Sequence, residues 1–222
     1  MVPADGTFLG ALPEAEADAL LAQGRRKRYP KGSTLFLEGE VAGNVIVVIR
    51  GRVKISYATD DGQDVMLAVR EAGDVLGELS AIDGEPRSAA ATALEPIEAV
   101  VIDADRFKAF LRSYPDAGLT LLRHVSRRLR DADRKRIEFG SSDTVGRVAG
   151  RLLELADRFG HAEGEGTRVD LPVTQEELAS WVGASRKAVT NALQHLRARG
   201  LIATGRKSVL ILDTIALRKR AT

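Results

Sequence analysis

The chain has 222 residues, 44% of them hydrophobic, 29% charged and 5% aromatic, with a formal net charge of +2 and no cysteine. That length and mixed composition suit one large or two modest globular domains and exclude wholesale disorder or collagen-like repetition. Without cysteine there is no disulfide framework, no thiolate zinc site and no cysteine-held iron–sulfur cluster.

Charge is unevenly shared along the chain. Residues 1–115 carry 13 basic and 18 acidic side chains, a balance of −5, and residues 116–222 carry the remaining 20 and 13, a balance of +7. A basic second half joined to a mildly acidic first half points to a polyanion, nucleic acid, meeting the second half. No uninterrupted apolar run is longer than residues 45–49, far short of the roughly 20 residues of a membrane-crossing helix. No membrane partner is expected. The opening Met-Val-Pro-Ala-Asp-Gly lacks the basic start and apolar stretch of a secretory signal, which makes the cytoplasm the expected location.

In chain order, residues 13–23 read as a short amphipathic helix with Gly24 placed to stop it. Residues 31–103 then alternate short apolar stretches with glycines at 32, 39, 43, 51, 62, 73, 77 and 84, the pattern of an all-β meander or jelly roll. In its clearest strand Val53, Ile55 and Tyr57 define a buried face. Asp60-Asp61-Gly62 supplies a hairpin turn, after which Val65, Leu67 and Val69 restart the alternation.

The character changes at Tyr114-Pro115, where proline suits the first turn of a helix. Leu122, Val125, Leu129, Ala132, Arg136 and Phe139 follow at alternating spacings of three and four. Such a seam suits either a helix packed on its own domain or a dimerising coiled coil with Arg136 in the seam. Gly140 to Asp143 ends it, and Asp143 is placed to cap a helix over 144–159. Residues 161–167 read as a solvated connector.

Thr174-Gln175-Glu176-Glu177 fits a capping box, so a helix starts at Gln175 carrying Leu178, Ala179 and Val182 on one face. It breaks at Gly183-Ala184. Ser185 then caps a second helix over 186–199 that buries Val189, Leu193 and Leu196 and stops at Gly200, a helix-turn-helix spacing. Residues 201–204 and 208–212 pair as strands about Gly205-Arg206-Lys207, forming a wing. The outward first turns of the second helix carry Arg186, Lys187, Thr190 and Asn191. Arginine and lysine donate to guanine O6 and N7, asparagine bonds adenine, and the wing offers Arg206 and Lys207 to phosphates. Thr174, Gln175 and Ser185, at the two helix starts, complete the expected DNA-binding set. The stretch 200–208 resembles a phosphate-binding loop, but Arg206 stands where that motif has lysine and the segment follows a helix and enters a strand, so it is not a nucleotide site.

A second constellation lies in the β region: Gly77-Glu78-Leu79-Ser80, then Pro86-Arg87-Ser88-Ala89. A glycine lets backbone approach a ligand, N–H groups at a turn cradle an anion, Arg87 closes on a phosphate, and Glu78 accepts from a sugar hydroxyl. The competing reading is a surface ion pair between Glu78 and Arg87 in a turn.

The order of these motifs, Gly77-Glu78-Leu79-Ser80, Pro86-Arg87-Ser88-Ala89, a long helix, and Thr174 to Ala179 leading to Val182-Gly183-Ala184-Ser185-Arg186, resembles the CRP/FNR superfamily of bacterial transcription regulators over essentially the whole chain. It looks closest to the cyclic-AMP receptor branch, notably the actinobacterial type, whose carboxy end resembles residues 205–213. The resemblance implies an α+β chain with a β jelly-roll cyclic-nucleotide-binding domain over 1–113 and a long dimerisation helix over 114–142. A winged helix-turn-helix over 143–222 would read a palindromic operator in double-stranded DNA. It implies a homodimer through 115–139, RNA polymerase as a partner, and no enzymatic activity. By family pattern Glu78 would hold the ribose 2′-hydroxyl and Arg87 the cyclic phosphate, with Gly77, Leu79, Ser80 and Ser88 around them and residues 62–68 as a wall.

The implied effector is cyclic AMP, bound between the jelly roll and the long helix, with cyclic GMP or no effector as alternatives. The family's adenine-contacting threonine and serine or asparagine align with Ala132 and Asp133 here. Alanine makes no hydrogen bond, whereas Asp133 accepts from the adenine amino group or from guanine N1 and N2. In the recognition helix the family's frequent Arg-Glu-Thr-Val is Arg186-Lys187-Ala188-Val189, and its later basic residue is Asn191, so the half-site differs. His124, His161 and His195 read as surface or packed residues, and no metal, haem or iron–sulfur cluster is expected. Two rival readings are a regulator of this fold that needs no ligand and a cyclic-nucleotide-binding module with vestigial DNA contacts.

Overall fold

The computed structural model describes residues 6–60 and 62–221. Asp61 of the expected hairpin turn and the first five residues of the expected non-secretory start lie outside them. By internal contacts the chain forms two compact units, one up to Arg130 and one from Asp131.

In the first unit a 3-10 turn at Leu9–Ala11 and α1 (Glu14–Leu21) precede eight strands. These are β1 (Arg25–Tyr29), β2 (Thr34–Phe36), β3 (Asn44–Arg50), β4 (Val53–Ala58), β5 (Asp64–Arg70), β6 (Val75–Leu76), β7 (Ala90–Ala93) and β8 (Ile97–Asp103), with α2 (Glu78–Asp83) between β6 and β7. They make two antiparallel four-stranded sheets, ordered β1-β8-β3-β6 and β2-β7-β4-β5, the expected jelly roll. The apolar run in β3 serves two cores at once. Ile46 and Val48 face the inter-sheet core with Val53, Ala91 and Ile97, and Val45 and Val47 face a second core. That second core includes Leu20 of α1, Phe107 and Phe110 of α3 (Ala104–Ser113), and Ala117 and Leu121 of α4 (Pro115–Ser141). A strand covered on both faces loses its polar alternation, which is why 45–49 is continuous.

Two expectations in the β4–β5 hairpin are corrected. Tyr57 is exposed and Ser56 is buried; on β5 Leu67 is exposed, while Met66, Ala68 and Val69 are buried. Ile55 pairs with Ala68 and Ser56 with Met66, leaving Leu67 as an extra residue. A bulge of one residue reverses which face each later side chain of its own strand takes, so strict alternation fails along β5.

The second unit contains the last turns of α4 and α5 (Thr144–Phe159), whose N-cap Asp143 accepts from Gly146 N–H at 2.8 Å as expected. It continues with β9 (Gly160–Glu163), β10 (Gly166–Asp170), α6 (Gln175–Val182), α7 (Arg186–Ala198), β11 (Ile202–Gly205), β12 (Ser208–Ile211) and α8 (Thr214–Ala221). The expected connector at 161–167 is instead the β9–β10 hairpin, part of a sheet ordered β11-β12-β10-β9. Gly164 supplies the positive φ of its turn, and Gly160 and Gly166 sit where a Cβ would strike Thr167 or the Ile211 carbonyl. Those glycines serve a tight pairing rather than a loose loop. Leu152, Leu155, Leu178, Val189, Leu196, Ile202 and Ile211 form the core of the unit. No described helix is long and apolar enough to cross a membrane.

Candidate functional site

The β-unit constellation forms a built cradle. Gly77 adopts φ +77°, and a Cβ there would overlap the Arg87 guanidinium, so only glycine lets this chain turn under the arginine. Arg87 is fixed by backbone bonds on both sides: its N–H donates to the Glu40 carbonyl at 2.9 Å, and its carbonyl accepts from Gly39 N–H at 2.8 Å. Its side chain is 4% exposed. Nη1 donates to the Gly77 carbonyl at 2.8 Å; Nη2 donates to the Asn44 carbonyl at 2.6 Å and lies 3.3 Å from Asn44 Oδ1. The guanidinium centre stands 4.4 Å from the centroid of the Phe36 ring.

All three acceptors are neutral. Burial pushes the guanidinium below the usual arginine value, and the charges of Glu40 and Glu78 oppose that only at a distance. Arg87 is thus a buried cation without a carboxylate partner among the described residues, the chemistry that suits an anionic ligand.

Glu78 does not pair with Arg87, which corrects the surface ion-pair reading: both side chains are buried and each has other partners. Glu78, 3% exposed, accepts at Oε1 from Arg128 Nη1 of α4 at 2.6 Å. Arg128 Nη2 also donates to Asp74 Oδ1 at 3.2 Å and to the Val75 carbonyl at 3.0 Å. Glu78 Oε2 accepts no hydrogen bond among the described residues and stays available to a donor. Of the remaining expected residues, Ser80 is buried and donates to the Pro86 carbonyl at 3.3 Å, while Leu79 and Ser88 are exposed. Ala132 and Asp133 are exposed on α4, in the second unit.

Asn44, Phe36, Arg128 and Asp74 were not singled out in the sequence. Asn44 and Arg128 lie 43 and 50 residues from the side chains they meet, and nothing local marks either.

The second unit presents the expected helix pair. Thr174 and Glu177 make both halves of the capping box, with Glu177 N–H donating to Thr174 Oγ1 at 3.1 Å and Thr174 N–H donating to Glu177 Oε2 at 2.8 Å. Gly183 turns the chain at φ +59°, and a Cβ there would strike the Phe139 ring. Arg147 locks the turn from α5, donating from Nε to the Val182 carbonyl at 2.8 Å. Ser185 Oγ accepts from Ala188 N–H at 3.2 Å and starts α7.

Arg186, Lys187 and Asn191 are exposed on α7, as are Arg206 and Lys207 at the β11–β12 turn, where Lys207 takes φ +56°. Thr174, Gln175 and Ser185 are exposed beside them in sequence at the helix starts. Thr190 is half-buried, its hydroxyl donating to the Arg186 carbonyl at 3.0 Å, so it is the least free of the expected base readers. Arg197 and Arg199, not singled out in the sequence, are also exposed without an ion pair among the described residues. Among the described residues no group of three or more histidines, aspartates or glutamates is placed to hold a metal; His124 is buried, and His161 and His195 are exposed.

The cyclic nucleotide-binding domain family matches residues 26–114, and the Crp-like helix-turn-helix domain family matches residues 146–220. The chain is 40% identical over 216 residues to the CRP-like cAMP-activated global transcriptional regulator of Mycobacterium tuberculosis, covering 97% of this chain and 96% of that protein. It is 29% identical over 214 residues to the Cyclic AMP receptor protein of Thermus thermophilus, covering 96% and 95%. A solved CooA mutant from Carboxydothermus hydrogenoformans shares the fold with a TM-score of 0.82 at 22% identity, covering 99% of this chain and 98% of that one.

Proposed function

Because the chain belongs to the CRP family of DNA-binding transcription regulators that carry a cyclic nucleotide-binding domain, we propose that cyclic AMP, seated on the Arg87–Glu78 cradle of a homodimer, sets its affinity for a palindromic operator. The observation that carries this reading is the Arg87 guanidinium, buried and held among the described residues by neutral oxygens and the Phe36 ring. A cyclic phosphate supplies the missing charge, and the free Glu78 Oε2 accepts a ribose hydroxyl. Cyclic GMP, which carries the same cyclic phosphate and ribose, is the alternative effector.

The mechanism is linkage: the nucleotide raises DNA affinity by the factor with which it prefers the DNA-competent form, and no more. Self-association is supported by α4, where Leu122 and Leu129, one heptad apart, are 61% and 63% exposed, a seam that a second copy of the helix would cover. Arg186, Lys187 and Asn191 read bases while Arg206 and Lys207 meet phosphates. RNA polymerase is the partner that would turn operator occupancy into transcription.

A duplex selected from a random pool by the protein, titrated with and without cyclic AMP, tests the reading. Cyclic AMP is expected to tighten binding about tenfold or more, and Arg87→Ala is expected to remove that response. Equal affinity with and without nucleotide, insensitive to Arg87→Ala, identifies instead a regulator that needs no ligand.

A further inference from the structure

One buried titratable group has no part in the reading above. His124 of α4 is buried, and its Nε2 makes no hydrogen bond among the described residues yet lies 3.2 Å from Asp74 Oδ1, itself buried. Asp74 Oδ1 also takes Arg128 Nη2, and Arg128 Nη1 takes Glu78 Oε1. A chain of imidazole, carboxylate, guanidinium and carboxylate therefore runs from His124 to the residue that would accept the ribose hydroxyl. All four members lie in the first unit.

We propose that His124 is a proton-linked positioning residue for the nucleotide cradle: its protonation strengthens nucleotide binding through Asp74 and Arg128. The proposal rests on the cyclic-nucleotide reading of that cradle. Imidazole is the side chain whose charge ordinarily changes between about pH 5 and 8. Protonated, it shares the single negative charge of Asp74, which leaves more of the Arg128 charge to Glu78 and holds that carboxylate with Oε2 outward. It also adds a positive charge near the site of an anionic ligand. Both effects have one sign, so nucleotide affinity rises as pH falls, and by linkage binding draws a proton onto the protein.

Helix α1, which packs into the same core as α4, carries Glu16, whose Oε2 is buried without a hydrogen bond among the described residues. The β5–β6 turn contributes Asp74, whose Oδ2 accepts from Glu71 N–H at 3.0 Å, and α2 contributes Glu78 through Arg128. Helix α3 gives Phe107 and Phe110 to the neighbouring core and keeps Asp105 and Lys108 paired on its own surface. On α4 itself Arg123 and Arg127 are exposed. The other two histidines, His161 and His195, belong to the second unit. Cyclic AMP carries a phosphodiester that does not titrate in this range.

The test is calorimetric titration with cyclic AMP at pH 6.0 and 8.0 on the full chain and on His124→Gln, which keeps a polar side chain of similar reach. Binding tighter at pH 6.0 by about fivefold, the scale of ordinary coupling, with the pH dependence lost in His124→Gln, is the expected result. A flat profile in the unsubstituted protein, or an unchanged slope in the variant, overturns the proposal while leaving the nucleotide reading intact. No binding at either pH overturns both. Should His124→Gln fail to fold, titration of the unsubstituted protein in buffers of different ionisation enthalpy decides: proton uptake on binding supports the proposal, and none overturns it.

Discussion

The Arg87 cradle and the exposed face of the helix-turn-helix domain use arginine in opposite ways. Arg87 is buried, stacked on Phe36 and committed to three neutral acceptors before any ligand arrives. Arg186 and Arg206 are exposed and make no ion pair among the described residues. A small anion cannot neutralise many charges, so its site gains strength from one desolvated, pre-oriented cation. A duplex offers a charge every few ångströms, and many solvated cations bind it by releasing counterions. Under the proposed function, ligand binding at the cradle is therefore expected to depend on shape and DNA binding on salt.

The largest effect that separates the two regions is expected from Gly77→Ala. It removes no polar group, yet its Cβ would collide with the Arg87 guanidinium at a φ that alanine resists. Nucleotide affinity should fall by at least about tenfold, as a loss of pre-organisation, with the salt dependence of DNA binding unchanged. Calorimetry and DNA titration at several salt concentrations check the pair of outcomes. Equal affinity for nucleotide would show that the cradle is not shape-limited.

Arg186→Ala sharpens the comparison from the other side. It should weaken binding to a selected duplex by about 1–3 kcal/mol and relax the choice of base at one position, leaving nucleotide binding untouched. A uniform loss across sequences would reassign Arg186 to phosphate.

The smallest expected effect concerns the start of α5. The Arg220 side chain, which donates to both Asp143 oxygens at 2.7 and 2.6 Å, and the Gly146 N–H hold the Asp143 carboxyl below its usual value. A depressed carboxylate adds stability that is present above its unfolded value of about 3.9 and is lost as pH falls through the folded value. Between pH 5 and 3, thermal stability should therefore decline slightly more in the unsubstituted protein than in Asp143→Asn, which keeps the N-cap but not the ion pair. Thermal unfolding followed at both pH values measures it, and parallel declines would contradict the assignment.

How legible each region was follows from where its partners lie in the chain. The helix pair and wing could be read because their signals are local: Thr174 with Glu177, Gly183, Ser185, and Arg206-Lys207 between two strands. The cradle was legible in Gly77, Glu78 and Arg87, which sit within one stretch, and not in Asn44 or Arg128, which arrive from distant strands and helices. The Leu67 bulge escaped because one extra residue leaves no mark in composition. It left Leu67 outward on β5. The β9–β10 hairpin escaped because glycines used for close packing resemble glycines used for a loop.

The most direct test of the account is titration calorimetry of the purified protein with cyclic AMP and, separately, cyclic GMP, each repeated on Arg87→Ala. The account predicts binding to one nucleotide in the micromolar range, abolished when the buried guanidinium is removed. Failure to bind either nucleotide, or binding that survives Arg87→Ala undiminished, would contradict it.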